Sequence, residues 1–180
     1  LALNRLLPGA LGLLADDGVS FEIRHQAGPR WVQETRAAYE EAGIHLDDPD
    51  PGGTTAPVPR AEVTDFIEDM ASAYAWADVV VCRAGALTVS EVAAAGVAAL
   101  FIPFPHAVDD HQTRNAEFLV EAGAALLLQE SVTDARMLAK VLSPLAGDRA
   151  GLASMATRGR AVAVPDSADR VAAMCREYTQ

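Results

Sequence analysis

The run Cys82-Arg83-Ala84-Gly85-Ala86-Leu87-Thr88-Val89-Ser90-Glu91 holds the residues best suited to binding an anion. It follows the apolar, β-branched Val79-Val80-Val81 and opens a helical pattern. Gly85 and its small neighbours let a phosphate approach the backbone, whose first-turn N–H groups have no partner within the helix. Thr88 adds a hydroxyl donor. The same residues also fit a capping box, Thr88-x-x-Glu91, in which the carboxylate only secures the helix start. Spacing alone leaves both readings standing, because the pattern is neither a dinucleotide fingerprint nor a P-loop.

Two other junctions offer polar groups at the end of an apolar stretch. In Pro103-Phe104-Pro105-His106-Ala107-Val108-Asp109-Asp110-His111-Gln112, two prolines stiffen a strand exit and lead into a helix carrying Gln112 and Asn115. Uncharged amides there suit sugar hydroxyls. The plainer alternatives are an Asp109 N-cap and solvent-facing His111 and Gln112. His106, Asp110 and His111 lack zinc-site spacing, so no metal is expected. In Asp65-Phe66-Ile67-Glu68-Asp69-Met70, acids at a helix start are usually capping groups, while the backbone of Phe66 and Ile67 could read the edge of a flat base. Asp48-Pro49-Asp50 looks like an Asp-x-Asp metal motif but reads as a solvated turn. His25 and His45 have no visible partner, and Trp31, Tyr74 and Trp76 read as core or helix-surface residues.

The elements that must position these groups follow from periodicity. Leu3, Leu6, Leu7, Ala10, Leu11 and Leu14 share one helix face, and Pro8 belongs near a first turn or a kink. No capping residue or initiator Met precedes Leu1, so the chain reads as starting inside a helix, a fragment. A strand over 21–25, a break at Gly28-Pro29 and a helix over 31–42 ended by Gly43 come next. Residues 46–60 are rich in Pro, Gly and Asp and predict a long surface loop. Strands then alternate with helices: strand 63–66, helix 70–76, strand 79–82 buried on both faces, and helix 87–95 ended by Gly96. Strand 98–103, helix 111–122 ended by Gly123, strand 124–128 and helix 134–142 continue the pattern. Two helices, 152–162 and 167–178, close the chain. Such alternation predicts an α/β fold with a parallel, doubly wound sheet, and such sheets bind ligands beyond the carboxyl ends of their strands.

At 180 residues, 51% of them hydrophobic, the chain fits one domain with a sizeable core. The net charge of −11 opposes a sequence-independent nucleic-acid surface and docking on an anionic membrane. An anionic ligand must therefore be held by local N–H groups against the overall field. No secretion signal or membrane-spanning run is visible. Two distant cysteines, Cys82 and Cys175, suggest reduced thiols in a cytoplasmic protein.

The segments 63–70, Ala73-Tyr74-Ala75-Trp76-Ala77-Asp78, 82–91, Phe101-Ile102-Pro103-Phe104-Pro105-His106 and Asp110-His111-Gln112-Thr113-x-Asn115-Ala116, taken in order, resemble the MurG family. His25-Gln26-Ala27-Gly28 and Leu3-Asn4 fit as well, and only the 46–60 loop stands apart. The resemblance implies the C-terminal half of a GT-B glycosyltransferase, a Rossmann-like domain that holds UDP-N-acetylglucosamine. It implies inverting, metal-independent transfer of N-acetylglucosamine to lipid I to give lipid II, with no cofactor, at the cytoplasmic face of the bacterial membrane. By that resemblance Ile67 receives uracil through its backbone, and Ala86, Leu87 and Thr88 serve the pyrophosphate and sugar. Glu91 binds the ribose hydroxyls, while His111 and Gln112 face the N-acetylglucosamine. Phe66, Arg83, Gly85 and Asn115 are further candidates.

The family's Gly-Gly-Ser-x-Gly-Ala loop would lie just before Leu1, and the N-terminal acceptor domain with its Gly-rich loops and His is not in the sequence. Lipid I and membrane contact would belong to that domain, so no catalytic residue is assigned here and no turnover is expected from the 180 residues alone. The last helix, within 163–180, is expected to meet that domain and to expose Val171, Ala172 or Met174. Two alternatives remain: a UDP-sugar-binding module serving a separate acceptor subunit, and another UDP-sugar GT-B enzyme.

Overall fold

The computed structural model describes residues 2–47, 59–105 and 110–177. The expectations for Asp48-Pro49-Asp50, for His106 and Asp109, and for Tyr178 lie outside the described residues. The chain forms two compact units, 1–77 with 128–151 and 78–127 with 152–180. Among the described residues all paired strands are parallel, and no helix is long and apolar enough to cross a membrane.

In the first unit, α1 (Ala2–Asp16) buries Ala10, Leu11 and Leu14, as its 3.6-residue period requires. Pro8 lies inside this helix, not near its first turn, and its ring is fully buried. Burial of the ring and its apolar neighbours offsets the backbone hydrogen bond that proline forfeits. β1 (Glu22–Gln26) leads to α2 (Val32–Glu41), and Gly43 at φ 73° ends that turn. β2 (His45–Leu46) and β3 (Arg60–Thr64) complete a sheet ordered β1-β3-β2. α3 (Met70–Trp76) follows.

The expected loop 46–60 is therefore regular at both margins. The His45 and Asp47 amides donate to the Pro59 and Ala61 carbonyls at 3.2 and 3.0 Å. β3 begins three residues earlier than expected and stops at Thr64. Its polar residues fit an outer face: Glu22 faces Arg60 in register and Arg24 faces Glu62. These pairs approach to 2.9 and 3.6 Å, while Arg24 lies 4.5 Å over the Trp76 ring. Alternation with buried Ala61 and Val63 makes this a strand despite its charges. Later in the same unit a 3₁₀ turn (Glu130–Val132) precedes α6 (Ala135–Gly147), which packs on α1 and continues through Pro144.

The second unit orders β4 (Val79–Cys82), β5 (Ala98–Phe101) and β6 (Ala125–Leu127) consecutively. α4 (Ala86–Ala95) and α5 (His111–Glu121) are the crossovers. The strand buried throughout is β5, not β4, whose four residues are only half-buried. β5 is central and flanked by two partners, whereas β4 pairs with β5 alone among the described residues. α7 (Arg149–Val162) places buried Gly159 where an added methyl would touch Ala124 at 3.5 Å. Its Arg158 and Arg160 donate to the Gly123 and Ala95 carbonyls at 3.1 and 3.0 Å, satisfying groups at the ends of α5 and α4. Every described side chain of α8 (Ser167–Glu177) whose burial is defined is exposed.

Candidate functional site

In the second unit, the loops leaving β4 and β5 are tied to each other and to α5. The Arg83 guanidinium donates to the Ile102 and Pro103 carbonyls, both at 2.9 Å, and lies 5.6 Å over the Phe104 ring. Asn115 donates to the Ala84 carbonyl at 3.1 Å, and the Phe104 amide donates to Gln112 Oε1 at 2.9 Å. These bonds fix where α4 starts. They also orient Gln112, whose oxygen is engaged by the backbone.

The capping-box expectation for Thr88 and Glu91 does not hold. Gly85 is the N-cap of α4 and has no side chain with which to cap it, and Thr88 and Glu91 lie inside the helix. By contrast, Asp69 accepts from the Ser72 amide at the start of α3, and Asp134 accepts from the Met137 amide at the start of α6. The Ser72 hydroxyl and amide also hold the Asp69 carboxyl below its usual range. α4 thus begins with backbone N–H groups that its own helix cannot satisfy. Ala86 and Glu91 are exposed beside them, Leu87 is 79% exposed and Thr88 half-buried. Behind this turn, burial and then Glu91 push the Cys82 thiol up to about 12, so it is a neutral packing group rather than a nucleophile.

α5 begins at exposed His111, with Asp110 in the left-handed region at φ 52°. Asp110 accepts from the Thr113 hydroxyl at 2.7 Å. Among the described residues no cluster of His, Cys, Asp and Glu is arranged to hold a metal.

In the first unit, Phe66 is 63% exposed on the loop after β3. The Phe66 amide donates to Asp65 Oδ1 at 2.8 Å and the Ile67 amide to Gln26 Oε1 at 2.9 Å. Gln26 was assigned no role by sequence reasoning, nor were the partners of His25. His25 is buried, its Nδ1 lies 2.9 Å from the Tyr39 hydroxyl, and its Nε2 lies 3.2 Å from Asn4 Oδ1. Asn4 Nδ2 donates to the Ala27 carbonyl at 2.9 Å, which fixes the rest. Nε2 must carry the proton, and Nδ1 accepts the Tyr39 hydroxyl. Burial lowers the His25 pKa to about 4 and raises that of Tyr39, so the chain of bonds is neutral. The only local signal for it was polar residues within apolar elements.

Residues 1–171 match the glycosyltransferase family 28 C-terminal domain. A relative from Burkholderia mallei, a UDP-N-acetylglucosamine–N-acetylmuramyl-(pentapeptide) pyrophosphoryl-undecaprenol N-acetylglucosamine transferase, is 51% identical over 97% of this chain. A Marinobacter nauticus transferase of the same name is 46% identical over the same share. The chain spans 44% of the length of each. The crystal structure of Acinetobacter baumannii MurG superposes with a TM-score of 0.83 at 42% identity, over 98% of this chain and 46% of that one. The kitacinnamycin glycotransferase shares the fold at 20% identity and a TM-score of 0.57, over 89% of this chain and 36% of that one. The chain therefore belongs to the glycosyltransferase family 28 C-terminal domain family, with MurG among the proteins it is similar to.

Proposed function

We propose that this protein is the donor-binding half of a UDP-N-acetylglucosamine transferase that acts on lipid I to give lipid II in peptidoglycan synthesis. Support comes from the likeness to transferases of that name along 97% of the chain. The structural observation that carries the reading is the start of α4, whose N-cap, Gly85, has no side chain with which to cap the first turn. In a chain of net charge −11, such a turn is suited to a diphosphate, because several N–H dipoles converge on it.

In this reading the amides of Ala86, Leu87 and Thr88 hold the pyrophosphate and stabilise UDP as it leaves the anomeric carbon. Glu91 binds the ribose hydroxyls, Gln112 donates to the sugar with His111 beside it, and Ile67 meets uracil through its backbone. Arg83 and Asn115 act as positioning residues, since both are committed to the carbonyls that shape the turn. No residue of the chain is assigned to activating the acceptor hydroxyl, and no metal or cofactor is invoked. The acceptor lipid and the cytoplasmic face of the membrane would be met outside these 180 residues.

Calorimetric titration of the protein with UDP-N-acetylglucosamine and UDP-glucose tests this. Expected is binding of the first at least about tenfold tighter, the discrimination available to one well-placed polar contact. Equal affinities would favour another UDP-sugar enzyme of the same architecture, and absence of binding to either would overturn the reading.

A further inference from the structure

We infer that the groove between α1 and α2 binds a linear aliphatic polyamine, with ammonium groups on Glu34 and Glu41 and the methylene chain along Ala37 and Ala38.

Both helices belong to the first unit. They meet closely at Gly12, where an added Cβ would lie 3.0 Å from that of Ala42. Away from this contact they enclose a groove of about 230 Å³, to which α1 contributes Asn4 and Arg5. Trp31, Glu34, Ala38 and Glu41 recur at three- and four-residue spacing, so they share the face of α2 that lines it. The result is a short alanine strip between two carboxylates, with an indole at one end.

What the groove can still bind follows from what its groups already do. Arg5 donates twice to Glu34 Oε1, at 3.0 and 2.8 Å, and Arg30 lies 5.7 Å over the Trp31 ring. Glu34 Oε2 and both Glu41 oxygens have no partner among the described residues. The Thr35 hydroxyl gives its proton to the Trp31 carbonyl at 2.8 Å and keeps its lone pairs. The open valences are therefore acceptors, and they call for a charged donor on an apolar body. The Trp31 ring adds its own attraction for a cation.

The helix reinforces this choice. α2 ends on Glu40 and Glu41 with no basic residue in its last turn. Carboxylates at the negative pole of a helix are unfavourable, and a cation beside them relieves that repulsion. A net charge of −11 draws cations to the surface in general. The spacing narrows the class. Glu34 and Glu41 lie two turns apart, about 11 Å along the axis. A metal ion or a monoamine reaches one of them, whereas an extended triamine reaches both across the alanines.

Calorimetric titration with spermidine tests this, beside n-butylamine and magnesium chloride at matched ionic strength. Spermidine is expected to bind at least about tenfold more tightly than either. Glu41→Gln should weaken it at least about threefold. Ala38→Leu fills the groove while keeping every charge, and should weaken it more than about tenfold. In amide NMR spectra of the wild-type protein, the shifts on adding spermidine should centre on residues 31–41 and the Trp31 indole N–H. Absence of spermidine binding overturns the inference. So does equal affinity for spermidine and magnesium, or a spermidine affinity unchanged in both variants, since the overall negative charge would then be holding the amine. Should Ala38→Leu fail to fold, Glu41→Gln and the NMR shifts decide alone.

Discussion

His25 is a neutral imidazole at neutral pH, because burial holds its pKa near 4 against 6.5 in the open chain. Between those values the unfolded chain binds a proton that the folded chain refuses, so folding stability rises with pH across that window. The contribution is fully present above pH 6.5 and is lost as pH falls toward 4. Its size is on the order of 3 kcal/mol. The stability gap between wild type and His25→Gln, measured by urea unfolding, is therefore expected to narrow steadily from pH 7 to pH 4. A gap independent of pH would mean that His25 titrates normally. Tyr39→Phe should cost about 1–2 kcal/mol at pH 7, since Nδ1 would be left buried without a donor.

The helix starts differ in how their first amides are treated. Asp134 caps α6, and Asp134→Ala is expected to cost about 1 kcal/mol in thermal unfolding. α4 is the converse case. Gly85 has ordinary extended angles, φ −63° and ψ 148°, and an added Cβ would meet only the Thr88 hydroxyl at 3.7 Å. Nothing in the backbone demands glycine there. Gly85→Asp should leave stability unchanged or slightly raised, because it supplies the missing cap and a negative charge at the positive helix end. UDP affinity should fall more than about tenfold, since the carboxylate takes the amides and repels the diphosphate. Undiminished UDP binding by Gly85→Asp would place the diphosphate elsewhere.

At the scale of the whole molecule, the chain spans 44% of the length of its transferase relatives. The 180 residues are expected to bind UDP-N-acetylglucosamine and to transfer nothing to lipid I, as followed with radiolabelled donor. Measurable transfer would require a base within this chain. α8 leaves Val171 60% and Met174 59% exposed, with Ala172 exposed beside them. A strip of this kind favours association in water. Replacing Val171 and Met174 together by Ser should therefore lower any concentration-dependent sedimentation while leaving the melting temperature within a few degrees.

The sequence by itself determined the order of elements, the parallel α/β class and the junctions that carry polar chemistry. These follow from local periodicity and from glycine: Gly43, Gly96 and Gly123, all at positive φ, end the helical turns where expected. β2 and the first half of β3 escaped, because a strand carrying Arg60 and Glu62 is made a strand by its partners and not by its own composition. Thr88 and Glu91 matched a capping box on spacing, yet only the packed chain decided that α4 starts earlier, at Ala86 after Gly85. The same holds for Gln26 with Ile67 and for Asn4, His25 and Tyr39, whose members lie 14 to 41 residues apart. Contacts at such separations leave no periodic trace in a sequence. They exist only once the sheet has brought the strand ends side by side.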